Sequence, residues 1–206
     1  MPNSLTANNL SCVRSERTLF KSLNFACSDS QCLHVVGANG SGKSSLLRIL
    51  CSLLTADEGQ VFWNEETIEN NTKFLNSFAY IGHKDGLKNE LSAAENLSFY
   101  QSMLSKPDDN LIDDHLAQLG ILESADLLTH SLSFGQRRRL AFARLLIKPQ
   151  PLWILDEPFT GIDHAGRELI ESLCLEHLKN NGLIILTNHQ SLQNSSLANH
   201  LEELTL

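Results

Sequence analysis

The most informative stretch of the chain is Gly37-Ala38-Asn39-Gly40-Ser41-Gly42-Lys43-Ser44, which fits the pattern GxxxxGK[ST]. An apolar run at Cys32–Val36 precedes it and apolar residues at helical spacing follow it, giving the order strand, loop, helix. The glycines let backbone N–H groups curl around a phosphate chain, Lys43 adds a positive charge, and the Ser44 hydroxyl can ligate Mg²⁺. A plain glycine turn needs neither the lysine nor the hydroxyl. The stretch therefore predicts a site for a nucleoside triphosphate with Mg²⁺.

The predicted nucleotide-binding set covers this whole loop and the start of the helix behind it. It consists of Gly37, Ala38, Asn39, Gly40, Ser41, Gly42, Lys43, Ser44 and Ser45. Lys43 is also expected to act in catalysis, because it faces the β- and γ-phosphates.

A second motif lies far along the chain, where an apolar run ends in two adjacent carboxylates. Leu152–Leu155 has the length and composition of a strand buried on both faces, and Asp156 and Glu157 follow it directly. Because side chains alternate along a strand, the two carboxylates can point in different directions. We expect Asp156 to hold Mg²⁺ beside Ser44, either as a direct ligand or through a ligand of the ion. We expect Glu157 to act as a general base toward water, a role worth about 100- to 10,000-fold in rate. On its own, the pair would indicate only an acidic strand end that faces solvent.

The composition limits the classes of protein to which the chain can belong. With 206 residues, 42% of them apolar and 19% charged, it is typical of one globular domain. A net charge of -8 opposes binding to phosphate backbones, so no nucleic-acid partner is expected. The five cysteines show no metal-ligand spacing, and without a leader-like N-terminus they indicate free thiols in the cytosol. If a membrane is involved, another polypeptide is expected to cross it.

Apolar patterning predicts one domain over residues 1–206, with two parts. Short strands and buried apolar runs dominate residues 1–83 and 151–206, whereas the pattern from about Ala93 to Ile147 is helical. We therefore expect an α/β core interrupted by a helical lobe at about 84–150. Repeats and flexible linkers are not evident, so the lobe should be docked on the core.

The third motif is Leu132-Ser133-Phe134-Gly135-Gln136, which opens an arginine-rich helix. By its chemistry alone, Ser133 is an N-cap whose helix start offers N–H groups to an anion. The motif resembles the LSGGQ signature of the ABC ATPases, with Phe134 in place of the first of the paired glycines. Most of the arginines are expected to line a solvated helix face; they are Arg137, Arg138, Arg139 and Arg144.

The resemblance to the ABC ATPases covers essentially the whole chain and implies both a fold and an assembly. The implied fold is the α/β P-loop fold with a mixed-sheet core and an inserted helical subdomain. The implied assembly is a homodimer that binds MgATP between two head-to-tail copies, so that signature residues of one copy touch the γ-phosphate held by Lys43 of the other. The residues implied to touch the γ-phosphate are Ser133, Gly135 and Gln136, and Phe134 belongs to the same signature motif. Asp163 matches the D-loop at the dimer seam, and His189 matches the H-loop histidine that helps to hold Glu157 and the attacking water.

Within the family, the match to one branch is closer. Several stretches resemble the ATPase subunits of cytochrome c maturation, the CcmA branch: Cys12–Phe25, Tyr80–His83, Gly86–Lys88, Glu95–Leu97 and Gln136–Leu145. This resemblance implies a haem exporter-like complex, with the ATPase peripheral on the cytoplasmic face of the bacterial inner membrane. The implied partners are integral membrane subunits of the CcmB and CcmC type.

The sequence departs from the family pattern at two positions. Lys84 stands where the Q-loop glutamine should be, and Gln60 and Gln101 are too distant to replace it. Because lysine has no acceptor, we expect Lys84 not to ligate Mg²⁺ and either to contact phosphate or to turn away. The aromatic residue that stacks on adenine is also missing. Its place in the sequence falls at Arg14 or Val13. Because a guanidinium can stack on a nucleotide base, Arg14 joins the predicted nucleotide-binding set. Without the aromatic residue, the sequence does not decide between ATP and GTP.

Rival interpretations share much of this chemistry. The chain could be an ABC ATPase serving another cargo, a soluble ABC protein acting on DNA or the ribosome, or a nucleotide-binding regulator without turnover. The single motif set and the acidic charge disfavour the second, and Glu157 disfavours the third. On family grounds, the segment from Lys84 to Leu97 is the candidate surface for a membrane subunit. Core packing of its leucines is the alternative.

Overall fold

The computed structural model describes residues 2–103 and 108–206. The chain divides into two compact units. The first is built from Met1–Tyr80, Gln150–Pro158 and Glu171–Leu206, and the second from Ile81–Pro149 and Phe159–Ile170. The sequence did not indicate that Phe159–Ile170 groups with the helical part of the chain.

The strands of the protein fall into two sheets. They are β1 (Ser4–Arg14), β2 (Arg17–Ser28), β3 (Cys32–Val36), β4 (Glu58–Trp63), β5 (Glu66–Thr67), β6 (Phe78–Ile81), β7 (Leu152–Asp156), β8 (Leu183–Thr187) and β9 (Leu201–Thr205). One sheet has the order β2-β1-β4-β5 and its pairs are antiparallel. The other has the order β6-β7-β8-β3-β9, and within it β7, β8, β3 and β9 pair in parallel. Parallel pairing sets the carboxyl ends of β3, β7 and β8 at the same edge, where the predicted site residues follow.

The central strands are apolar because both of their faces are covered. Every residue of β7 and of β8 is buried, as expected for parallel strands with neighbours on both sides. Helix α1 (Lys43–Leu50) buries Leu46, Leu47 and Leu50 in the core that joins the two sheets. The short helix α2 (Thr72–Leu75) adds Phe74 to that core.

The second unit is mainly helical. Its helices are α3 (Ala93–Ser102), α4 (Asp109–Gln118) and α5 (Phe134–Ile147), and α6 (His164–Lys179) contributes residues to both units. A capping box starts α3, in which the Ser92 side chain accepts from the Glu95 N–H and Glu95 accepts from the Ser92 N–H. Over the described ranges, the structure contains no helix with the length and apolar character needed to span a membrane.

Candidate nucleotide-binding and catalytic site

The loop between β3 and α1 has a backbone that only glycine adopts easily. Gly42 is the N-cap of α1 with φ of 106°, and a Cβ there would lie 2.9 Å from Leu19 Cβ. Lys43 is buried, and its Nζ donates to the carbonyl oxygens of Gly37 at 2.7 Å and Ala38 at 3.1 Å. The loop therefore holds a buried ammonium group at the amino end of a helix, where N–H groups favour an anion.

Two observations on this loop fit a bound triphosphate. Ser41 Oγ is buried and has no hydrogen-bond partner among the described residues, so a phosphate oxygen could accept its proton. Lys43 adds the buried amino group of a lysine to the same loop. The hydroxyl of Ser44 and the carboxylate of Asp156 supply oxygen donors of the kind that Mg²⁺ prefers.

A cavity of about 290 Å³ brings together residues from segments far apart in the sequence. Its lining includes one leucine from β2, two further residues of the loop and helix start, and all three predicted catalytic side chains: Leu19, Asn39, Ser44, Lys43, Glu157 and His189. All of them belong to the first unit. The folded chain thus gathers the phosphate loop and the predicted base into a single pocket.

Asp156 and Glu157 point in different directions because the backbone turns at Glu157, and not because side chains alternate along a strand. Strand β7 ends at Asp156, which is 4% exposed, and Glu157 has φ of 51°, in the left-handed region. That conformation costs a residue with a Cβ roughly 1–2 kcal/mol, so surrounding contacts must hold it. The Glu157 N–H donates to Thr187 Oγ1 at 3.0 Å, and the Thr187 hydroxyl donates to Asp156 Oδ1 at 2.7 Å.

Asp156 affects the pKa values of two neighbouring side chains. Burial, and secondarily the negative charge of Asp156, raises the pKa of Tyr80 to about 12. The same two causes raise the pKa of Cys51 above its ordinary value. Both neighbours are therefore neutral at physiological pH.

Glu157 and His189 form a pair within the pocket. His189 Nε2 lies 2.7 Å from Glu157 Oε1, and their side chains are 47% and 20% exposed. The carboxylate is thus oriented by the imidazole while it stays in reach of solvent, which suits a base that activates water.

The signature stretch is a helix start in the second unit. Ser133 Oγ accepts from the Gln136 N–H at 3.2 Å, and Gln136 Oε1 accepts from the Ser133 N–H at 2.9 Å, so the expected N-cap is confirmed as a capping box. Gln136 Nε2 also donates to Ser124 Oγ at 3.0 Å. Phe134 is 54% exposed, and its ring lies against Gly161, where a Cβ would come within 2.5 Å of Cε1.

Comparison with known families identifies this arrangement. The model of the ABC transporter family matches residues 20–160, which include the phosphate loop, the signature stretch and Glu157. The chain belongs to the ABC transporter family. The predicted α/β P-loop fold and the resemblance to the ABC ATPases are thereby confirmed, and the chain is an ATPase of this type.

Individual relatives agree with this assignment. This ABC ATPase is 45% identical over 189 residues to the cytochrome c biogenesis ATP-binding export protein CcmA of Aliivibrio fischeri, over 91% of this chain and 93% of that protein. It is 42% identical over 215 residues to CcmA of Photobacterium profundum, over 98% and 99% of the two chains. Among solved structures, an ATP-binding subunit of an ABC transporter superposes with a TM-score of 0.84 at 19% identity, over 98% of this chain and 85% of that one. The cbiO1 protein of Clostridium perfringens, part of the ABC transporter complex cbiONQ, superposes with a TM-score of 0.77 at 26% identity, over 94% and 81%.

Most of the arginines of α5 do not form the solvated face that the sequence suggested, so that prediction is wrong. Arg139 Nη1 donates to the carbonyl oxygens of Leu119 and Gly120, both at 3.3 Å. Arg138 is 2% exposed, lies 2.9 Å from Asp85 Oδ1 and donates to the Gly82 carbonyl oxygen at 3.0 Å. Arg144 stacks on the ring of Tyr100 at 3.8 Å and donates to the Asp85 carbonyl oxygen. The segment after β6 folds back onto α5, and its Gly82 and Asp85 accept hydrogen bonds from Arg138 and Arg144. Helical periodicity alone cannot reveal such partners.

The two departures from the ABC pattern have definite places. Lys84 is exposed, while the next side chain, Asp85, is buried in the pair with Arg138. Arg14 Nη1 lies 3.0 Å from Asp57 Oδ2, and Nη2 donates to the Thr55 carbonyl oxygen at 3.1 Å. The structure therefore directs the Arg14 guanidinium to Asp57 and does not bring it to the pocket lining.

The D-loop position lies at the start of α6. Asp163 Oδ1 accepts from the Gly166 N–H at 2.9 Å, so this side chain caps the helix in the second unit. Sequence reasoning missed Thr187, which contacts both carboxylate residues. The signal was present in β8, where a hydroxyl ends an otherwise apolar run.

Proposed function

We propose that two copies of this chain bind MgATP between them and hydrolyse it, and that the cycle drives an export complex of cytochrome c biogenesis. In this proposal the phosphates rest on the loop from Gly37 to Ser45, with Mg²⁺ held by Ser44 and Asp156. Each copy would close the site of the other with its signature stretch. The observation that carries the hydrolytic part is the contact of 2.7 Å between His189 Nε2 and Glu157 Oε1 in the cavity that Lys43 also lines.

The chain's own residues account for the chemical step. The Glu157 carboxylate accepts a proton from the attacking water, and His189 keeps that carboxylate pointed into the cavity. Lys43 and the N–H groups at the start of α1 stabilise the negative charge on the transferred phosphoryl group. A general base contributes about 100- to 10,000-fold, or roughly 3–5 kcal/mol of barrier.

The membrane role is proposed from the relatives. Two relatives, at 45% and 42% identity, are export proteins of cytochrome c biogenesis by name. We infer that this chain serves the same process, peripheral on the cytoplasmic face of the bacterial inner membrane. Its partners would be integral membrane subunits of the CcmB and CcmC type, with the segment from Lys84 to Leu97 as the contact surface.

Phosphate release by the purified protein tests the catalytic assignment. We expect Glu157→Gln to lower kcat by at least about 100-fold, the lower end of a general base's contribution, with little change in KM for MgATP. Glu176→Gln is the matched control, because Glu176 is an exposed residue of the same unit. Equal rates for wild type and Glu157→Gln would remove Glu157 from the catalytic role.

The membrane role has a separate test. Expression of the chain with membrane subunits of the CcmB and CcmC type, followed by affinity purification, should recover one complex with ATP-dependent activity. Failure of the subunits to co-purify, with hydrolysis intact, would refute the cytochrome c assignment and leave the ATPase assignment in place.

A further inference from the structure

Thr187 connects the two carboxylate residues of the site through one hydroxyl group. It is the last residue of β8, is completely buried and pairs with Asp156 in the parallel register between β8 and β7. Its hydroxyl donates to Asp156 Oδ1 at 2.7 Å and accepts from the Glu157 N–H at 3.0 Å. The preceding residues of the strand are leucine and isoleucine, so this hydroxyl is the polar end of an apolar strand.

We propose that Thr187 is a positioning residue for hydrolysis, which sets Asp156 and Glu157 to different tasks. This inference rests on the proposed function, because it takes Glu157 as the base. The direction of the two hydrogen bonds supports it. The hydroxyl donates a hydrogen bond that orients the Asp156 carboxylate, and its oxygen accepts a hydrogen bond from the Glu157 N–H.

The backbone of Glu157 explains why such a bond is needed. A left-handed φ of 51° is unfavourable for glutamate and turns the chain off the path of β7. The bond from the Glu157 N–H to Thr187 Oγ1 holds this conformation at the point where the chain leaves the strand. The turn carries the Glu157 side chain to His189, at 2.7 Å. Loss of the hydroxyl would let both carboxylates shift, and misplacement of a catalytic group by about 1 Å can cost on the order of 100-fold in rate.

A purely structural role makes a different prediction. If Thr187 only fills space in the core, valine should replace it well, because it has nearly the same shape and favours strands. If the hydroxyl positions the site, serine should replace it better, although serine leaves a small gap.

The test compares the steady-state kinetics of Thr187→Val and Thr187→Ser with MgATP. We expect Thr187→Val to lower kcat by about tenfold or more, with KM for MgATP within about twofold, since positioning acts on the transition state. Thr187→Ser should keep kcat within about threefold of wild type by the same reasoning. Thr205→Val is the matched control, because Thr205 ends β9 of the same sheet and is exposed.

The outcomes separate cleanly. Equal kcat values for the valine and serine variants, whether normal or reduced, would overturn the proposal. If Thr187→Val does not fold, Thr187→Ala and Thr187→Ser replace it as a pair that differs by one oxygen, and equal kcat values would again refute it. Equal kcat values for Glu157→Gln and wild type would instead refute the proposed function. Normal hydrolysis in Thr187→Val, with Glu157→Gln inactive, would refute only this inference.

Discussion

Breaking the buried ion pair between Asp85 and Arg138 should lower the stability of the helical unit. The two side chains are 7% and 3% exposed and lie 2.9 Å apart. Asp85→Asn removes the negative charge but leaves the guanidinium in the interior. Breaking a buried pair in this way costs about 3–5 kcal/mol. We expect about 3 kcal/mol, because the amide oxygen of asparagine and the Gly82 carbonyl still accept hydrogen bonds from Arg138.

The protein contains its own control for this substitution. Arg14 and Asp57 lie 3.0 Å apart with side chains 36% and 42% exposed, so Asp57→Asn makes the same chemical change at the surface. Exposed pairs contribute about 0–1 kcal/mol, and salt screens them. The difference between the two variants therefore measures the effect of burial.

The assay must follow the helical unit. Trp63 and Trp153 both lie in the first unit, so tryptophan fluorescence would report mainly on that part. Urea unfolding followed by far-ultraviolet circular dichroism should place Asp85→Asn about 2 kcal/mol or more below Asp57→Asn. Equal free energies of unfolding for the two variants would refute the reasoning from burial.

Three further outcomes are expected. Gly161→Ala should lower stability by about 1–2 kcal/mol through its φ of 72°, as measured by urea unfolding, because the nearest atoms that the new Cβ meets belong to the exposed Phe134 ring, which can turn aside. Burial lowers the pKa of His177 to about 4, so the unfolded chain binds a proton at a higher pH than the folded chain does. The free energy of unfolding should therefore fall by on the order of 2–3 kcal/mol as pH drops from about 6.5 to about 4, and His177→Gln should flatten that slope. Arg14→Ala should change KM for MgATP by less than about twofold, since the guanidinium pairs with Asp57, whereas a tenfold rise would place Arg14 at the nucleotide base.

The amino-acid sequence by itself determined the features that depend on neighbours along the chain. The phosphate loop, the apolar strands β7 and β8, and the cap of α5 by Ser133 were all predicted correctly as local structure. Each follows from side-chain periodicity or from hydrogen bonds between residues at most a few positions apart.

Tertiary structure decided the features that depend on pairing between distant segments. The order of β7 and β8 sets Thr187 beside Asp156, and the return of the chain after β6 buries Arg138 against Asp85. Asp57, the residue before β4, forms an ion pair with Arg14, and the Arg14 side chain does not line the pocket. A single sequence shows that such groups are polar, but their partners become known only when strand order and chain return are known, because hydrogen bonds and ion pairs act over a few ångströms in space.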